Sequence, residues 1–298
     1  MRISVIIPTR NAEEYIEKLL LSLRGQTVKP EIIVIDSSSA DKTPEIAKNL
    51  ADVFVSIDER DFNHGLTRNL GVGLSKGDIV VFFSQDALPE NEKTLEVLIK
   101  PIVEGKVVLS YARHIPPEGT RPTEVFFRSF SYPPRSEVRG KEDVKKWGLR
   151  TFSNSNVCCA YLKEKLLEVG GFPRVILSED LIVAAKLVLR GYKIMYNAEA
   201  RVIHAHEYSL FKLFQRYFSI GVFYAENKWL RGYGGRGDTL RFIISQMEYL
   251  SENAPFWIPY AIAENAFRVL GLLAGFNYKI FPKKLLPLLS GYKHYFQP

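Results

Sequence analysis

Four short apolar runs, each closing on a cluster of polar residues, punctuate residues 1–90. They are Ile3–Ile7, ending in Pro8-Thr9-Arg10-Asn11; Glu31–Ile35, ending in Asp36-Ser37-Ser38; Val53–Ile57, ending in Asp58–Asp61; and Ile79–Phe83, ending in Ser84-Gln85-Asp86. Apolar runs of this length read as strands covered on both faces. Helical patterns lie between and after them. Ile16, Leu19, Leu20 and Leu23 share one face of a helix that Asn11 is placed to cap. Thr43–Leu50 and Thr67–Leu74 read as helices, and Leu95, Leu98, Ile99 and Ile102 mark another. The alternation predicts an α/β fold with a Rossmann-like, mainly parallel sheet flanked by helices. Ligands of such sheets bind beyond the carboxyl ends of the strands, where all four polar clusters lie.

Farther along, residues 115–150 are rich in Pro, Gly and charge and read as one irregular segment, a sign of function or mobility. Order resumes over 151–161, with helices expected at 163–169 and 181–190 and strands at 193–196 and 200–204. Composition then changes. Residues 208–298 carry 11 Lys/Arg against 5 Asp/Glu and hold 21 of the 37 aromatic residues, whereas residues 1–207 carry 29 against 28. The expected organisation is a catalytic domain over 1–207 and a basic, aromatic helical appendage over 208–298.

The apolar run at the start is too short for a secretory segment and is cut by Pro8. Cys158 and Cys159 are adjacent, so no disulfide framework is expected and a reducing, cytoplasmic setting fits.

Four motifs bear on chemistry. Asp86, at the end of an apolar strand, can hold a divalent cation or simply close a turn. Glu179-Asp180 opens a helix; one carboxylate can accept a proton from a hydroxyl, or both can serve the helix dipole. His204-Ala205-His206 places two imidazoles on one side of a strand, as metal ligands or ordinary polar residues. Phe62–Gly71 carries His64, Gly65 and Arg68 at a helix start, a phosphate contact or a capped helix, and matches neither a Walker loop nor a dinucleotide fingerprint.

Taken in order, these stretches resemble the inverting family 2 glycosyltransferases of GT-A fold, and within them the rhamnosyltransferase-like members. The resemblance is carried by Val5–Asn11, Ile33–Ser39, Phe62–Asn69, Ser84–Pro89, Ser178-Glu179-Asp180 and His204–His206, over residues 1 to about 210. It implies that Pro8, Thr9, Arg10, Asn11, Asp36, Ser38, His64, Arg68, Ser84 and Gln85 bind the donor. Asp86, with His206 or His204, would ligate Mg2+ or Mn2+; Ser84 stands where the family has the first aspartate of its metal motif. Asp180 would be the catalytic base and Glu179 its support. The donor expected is dTDP-rhamnose, or another dTDP- or UDP-sugar, and the acceptor is lipid-linked or an oligosaccharide. A nucleotidyltransferase and an inactive nucleotide-sugar-binding protein are the alternatives. No nucleic-acid-binding signature accompanies the charge.

For the tail, Leu210–Trp229 reads as a helix. Phe256–Phe276 is long enough to span a bilayer, but Pro259, Glu264, Asn265 and Arg268 interrupt it. Ile262, Ala266, Val269, Leu270 and Leu273 share a face that suits either a membrane interface or packing on the catalytic domain. Lys279, Lys283, Lys284 and Lys293, mixed with Phe281, Tyr292, Tyr295 and Phe296, favour an anionic lipid surface, so a peripheral place on the inner face of the cell membrane is expected. A homodimer contact is the other reading of the tail.

Overall fold

The computed structural model describes residues 1–234 and 238–296, without the side chains of Asp238 and Lys293. In chain order the first half runs β1 (Ile3–Thr9), α1 (Ile16–Arg24), β2 (Glu31–Ser37), α2 (Thr43–Leu50), β3 (Val53–Ile57), α3 (His64–Leu74), β4 (Ile79–Phe83), β5 (Leu88–Pro89) and α4 (Thr94–Val103). Next come β6 (Leu109–Ile115), α5 (Pro122–Ser131), β7 (Glu137–Arg139), α6 (Val144–Trp147), β8 (Cys158–Leu162), α7 (Lys163–Glu168), α8 (Glu179–Leu189) and β9 (Ile194–Ile203). The tail is α9 (Leu210–Glu226), α10 (Asp238–Asn253), α11 (Ile258–Phe276) and α12 (Leu286–Ser290).

One sheet holds all the strands, in the order β3-β2-β1-β4-β8-β6-β9-β5, with β7 added beside β9. The first four are parallel, as the alternation predicts. Beyond β4 the sheet is mixed: β8 runs antiparallel to both neighbours, and β9 is parallel to β6 but antiparallel to β5 and β7. The parallel character therefore stops where the βαβ alternation stops. Apolar layers cover both faces. Ile6, Ile33, Val80, Phe82 and Tyr161 meet the α8 side, and Val5, Ile7, Val34, Val81 and Phe83 meet the α1 and α4 side.

Three local expectations change. Asn11 does not cap α1; it sits at φ 46°, and its side chain accepts from the Ala40 amide at 2.9 Å, tying the β1 and β2 loops together. Residues 115–150 are not one irregular segment, since they contain α5, β7 and α6. The two strands expected between 193 and 204 are one continuous β9.

The largest departure concerns α11. Its buried stripe is Ala261, Glu264, Arg268, Gly271 and Gly275, and Ile262, Val269, Leu270 and Leu273 face outward. The alternative of an apolar face packed on the catalytic domain is thus overturned. Small residues do the packing instead. A Cβ at Gly275 would stand 2.0 Å from the Phe218 carbonyl oxygen and one at Gly271 2.5 Å from that of Phe214, so α9 and α11 approach to backbone contact. Arg268 and Glu264 form an ion pair at 3.7 Å beneath the helix, and the Arg268 guanidinium lies 5.3 Å over Phe242 and 5.5 Å over Phe127.

Candidate active site

Two adjoining cavities open at the carboxyl edge of the parallel strands. The first, of about 890 Å3, is lined by Pro8 and Thr9 at the end of β1 and Arg10 after it, Ser37 at the end of β2, Glu59–Asp61 after β3, and Ser84, Gln85 and Asp86 after β4. The second, of about 420 Å3, holds Asn156, Glu179, Asp180, His204 and His206. His64, Arg68, Ser84 and Tyr292 line both and form the passage between them.

The loop after β1 is held open by Gln85, whose side-chain oxygen accepts from the Arg10 amide at 2.7 Å and whose amide donates to the Arg10 carbonyl at 3.1 Å. Arg10 is ion-paired with Glu59. Asp36 does not face the cavity as expected. Its carboxylate is buried and takes hydrogen bonds from the Ser39 amide at 2.9 Å and the Thr9 hydroxyl at 3.2 Å. Asn11 and Ser38 are also absent from the cavity wall; both are left-handed turn residues, and Ser37 stands in the lining instead. Strain of this kind at non-glycine residues gathers where backbone position matters. The third such residue, Ser178, immediately precedes Glu179.

The stretch Asn63–Asn69 has a physical role that its residue types alone do not reveal: it clamps the segment leading into α8. The Asn63 side chain caps α3 by accepting from the Gly65 and Leu66 amides and donates to the Val175 carbonyl at 2.9 Å. Asn69 pairs with Phe172 in both directions, at 2.8 and 2.9 Å. Gly65 is required because a Cβ there would lie 2.2 Å from the Pro173 carbonyl oxygen. Arg68, expected to meet the donor, is buried and donates to Glu179 at 2.8 Å and to the His64 carbonyl at 3.0 Å.

That ion pair separates two neighbouring carboxyls. Burial would raise Glu179, but the Arg68 charge, His64 and the hydrogen bond from the Asn156 side chain together hold Glu179 below its ordinary value. Asp180 is enclosed and feels the Glu179 charge, and the two effects push it up to about 7. Its carboxyl accepts from the Leu181 amide at 2.8 Å and the Asn156 amide at 3.4 Å. A carboxyl titrating near neutrality in a cavity is suited to proton transfer.

Asp86, His204 and His206 converge on one point. Their ligand-type atoms lie within 4.8 Å of one another, and Asp86 is 3.6 Å from His204 Nε2 and 3.5 Å from His206 Nε2. Both ring nitrogens of His204 are buried without a hydrogen-bond partner among the described residues. Burial first, then His204, lowers His206 to about 4, so its imidazole is neutral and its lone pair free. Burial acts to raise Asp86, but His204 and His206 together keep it below the ordinary carboxylate value. One carboxylate with two imidazoles fits a divalent cation. The backbone amide of His206 donates to Glu124 at 3.3 Å, and Glu124 also binds Arg128, so α5 anchors the histidine strand end.

A model of the glycosyl transferase family 2 domain matches residues 4–170. The chain belongs to that family. This family 2 glycosyltransferase is also similar, over nearly its full length, to two O-antigen chain rhamnosyltransferases. RfbN of Salmonella typhimurium is 38% identical, over 99% of this chain and 96% of the relative. WbaN of Salmonella anatum is 37% identical, over 98% and 95%. Among solved structures, the mannosyltransferase PcManGT of Pyrobaculum calidifontis, in complex with GDP-Man and Mn2+, superposes with a TM-score of 0.59 at 22% identity, over 99% of this chain and 84% of that one. Residues 1–349 of S. aureus TarS superpose with a TM-score of 0.56 at 18% identity, over 99% and 89%. The GT-A fold is thereby shown, and the nucleotidyltransferase and inactive-binder alternatives fall away.

Sequence reasoning missed the contribution of the tail to the cavities. Gly291, Tyr292, His294 and Tyr295 wall the first, and Tyr208, Arg216, Tyr217 and Arg268 wall the second. Tyr292 and Tyr295, expected at a lipid surface, turn inward: Tyr292 stands edge-on to His64 at 5.7 Å and the Tyr295 hydroxyl donates to Glu226 at 2.6 Å. Phe281 packs on Phe218 and Phe296 on Tyr278. No sequence signal marks these positions, because an aromatic residue that lines a pocket and one that meets lipid have the same composition.

Proposed function

We propose that this family 2 glycosyltransferase moves rhamnose, from dTDP-rhamnose, to a lipid-linked or saccharide acceptor in the assembly of cell-surface polysaccharide, with inversion. The observation that carries the reading is the placement of Asp180, raised to about 7, in a cavity adjoining the nucleotide-type pocket of β1 to β4. The choice of rhamnose is supported by the two Salmonella relatives.

In this reading Pro8, Thr9, Arg10, Ser37, Ser84 and Gln85 receive the nucleoside diphosphate. Asp86, His204 and His206 hold Mg2+ or Mn2+, with both imidazoles favouring Mn2+ over the more oxygen-demanding Mg2+. The bound cation supplies charge neutralisation for the diphosphate. Asp180 takes the proton of the acceptor hydroxyl as that oxygen bonds to the anomeric carbon. The bond from that carbon to the diphosphate oxygen breaks on the opposite face, and the nucleoside diphosphate departs with the electron pair. Arg68 keeps Glu179 ionised, and the Glu179 charge in turn keeps Asp180 basic enough to act near pH 7.

The acceptor is met at an anionic membrane surface. Among the described residues no helix is long and apolar enough to cross a membrane. The outward positions of α11 are nevertheless apolar, and Ile280, Leu285 and Leu288 extend the exposed apolar surface beside exposed Lys279, Lys283 and Lys284. From Asn265 to the end the sequence has five Lys/Arg and no acidic residue. Exposed apolar side chains together with these lysines match an interfacial site.

The donor reading is tested by incubating the protein with Mn2+ and, separately, dTDP-rhamnose, UDP-glucose and GDP-mannose, and measuring nucleoside diphosphate release with a saccharide or lipid-linked acceptor. Preferential turnover of dTDP-rhamnose is expected. Turnover of another donor with dTDP-rhamnose left intact removes the rhamnosyl assignment.

A further inference from the structure

The second cavity contains one cation that the preceding chemistry does not use. Four arginines line it: Arg68, Arg128, Arg216 and Arg268. Three are committed to carboxylates, Arg68 to Glu179 at 2.8 Å, Arg128 to Glu124 at 2.7 Å and Arg268 to Glu264 at 3.7 Å. Arg216, on α9, has no carboxylate and no protein acceptor among the described residues. The groups that most influence it are phenols, those of Tyr292, Tyr208, Tyr217 and Tyr132. Its guanidinium stands 5.9 Å over the Tyr208 ring, and the residue is exposed where it lines the cavity. The same charge is felt by His64 at the passage and by His206 at the cation group, and Asp180 lines the same cavity.

A guanidinium left without a protein partner on a cavity wall retains its full planar fork of donors. That fork matches a phosphate oxygen pair better than a neutral hydroxyl. We propose that Arg216 receives a phosphate group of a substrate in the second cavity. The inference rests on the sugar-transfer reading above. Two substrates can bring that chemistry, the departing diphosphate of the donor and a phosphate link between acceptor sugar and lipid. The position of α9 is compatible with both, since it faces the cation group on one side and packs beneath α11, with its outward apolar face, on the other.

Two titrations separate them, each on wild type, Arg216→Gln and Arg216→Lys. In the first, dTDP is titrated with Mn2+ present. In the second, geranyl phosphate, with geraniol as the uncharged control, is titrated into protein already saturated with dTDP and Mn2+. The expected result is a loss of about tenfold in affinity in at least one arm for Arg216→Gln, with Arg216→Lys between it and wild type. Loss in the first arm assigns the donor diphosphate, and loss in the second assigns the phosphate of a lipid-linked acceptor. Unchanged dTDP affinity, together with absent or unchanged binding of geranyl phosphate, in a variant that melts like wild type overturns the proposal. Failure of the wild type to bind dTDP strikes the donor reading instead; geranyl phosphate titrated into the protein alone then decides the role of Arg216.

Discussion

At the scale of single residues, neighbouring carboxyls on one helix turn carry different protonation because only one of them has a cation. Arg68 neutralises Glu179, and Asp180 is left with burial and the charge of its neighbour. Asp180→Asn is expected to lower kcat by roughly 10²–10⁴-fold while dTDP affinity stays within about twofold, since the residue lines the second cavity and not the first. Activity should rise with pH through about 7, the value at which Asp180 loses its proton. The stability consequence has the opposite sign. A carboxyl raised in the folded state binds its proton more tightly there than in the unfolded chain, so native stability falls as pH increases from 3.8 towards 7. Asp180→Asn removes that loss. The variant should melt higher than wild type at pH 8 and no higher at pH 4, and a thermal melt at the two pH values checks it. In the cation group, His206→Ala should weaken Mn2+ binding by at least tenfold, read by the free-ion EPR signal, with native melting temperature retained in the absence of metal. Equal Mn2+ affinity in the variant would take His206 out of the group.

At the scale of elements, what the sequence makes legible follows from how local the physics is. Strands β1 to β4 and helices α1 to α4 are readable because each buries its own periodic face. The polar strand ends are readable because a parallel sheet puts them on one edge. Asp86, Asp180 and the histidine pair could be singled out since each motif is contiguous. Asp36 could not be placed, because its turn folds the carboxylate back onto Ser39, a matter of three residues of backbone that no pattern records. The same holds for Asn63–Asn69, whose partners lie more than a hundred residues away in sequence. Helix α11 misleads for a different reason: amphipathicity identifies an apolar face but not which face the protein keeps. Here close packing decides, through Gly221, Gly271 and Gly275. Gly275→Ala should therefore cost about 1–3 kcal/mol by forcing α9 and α11 apart. A urea midpoint equal to that of wild type would show that the α9–α11 pair can relax around the added methyl.

At the scale of the whole molecule, the tail has one surface for the cavities and another for its surroundings. Its inner side gives Tyr208, Arg216 and Tyr292 to the second cavity, so that cavity is walled in part by residues that composition assigns to an appendage. Its outer side combines apolar α11 positions with Lys279, Lys283 and Lys284. Attraction to anionic lipid contributes about 1 kcal/mol per lysine near the surface, and burial of the apolar side chains adds to it. The protein should accordingly co-sediment with phosphatidylglycerol vesicles at low salt and much less with phosphatidylcholine vesicles. Reversing two charges, Lys283→Glu with Lys284→Glu, should reduce the partition coefficient by more than tenfold, because attraction is replaced by repulsion at both positions. Leu270→Ser with Leu273→Ser should reduce it as well while leaving the salt dependence in place, which separates the apolar contribution from the electrostatic one. A second copy of the chain would cover the same face without lipid. In that case wild type sediments as a dimer at micromolar concentration, the leucine variant as a monomer, and neither distinguishes anionic from neutral vesicles. That pattern would turn the outer face of α11 from a membrane surface into a subunit interface, with the cavities and their chemistry unaltered beneath it.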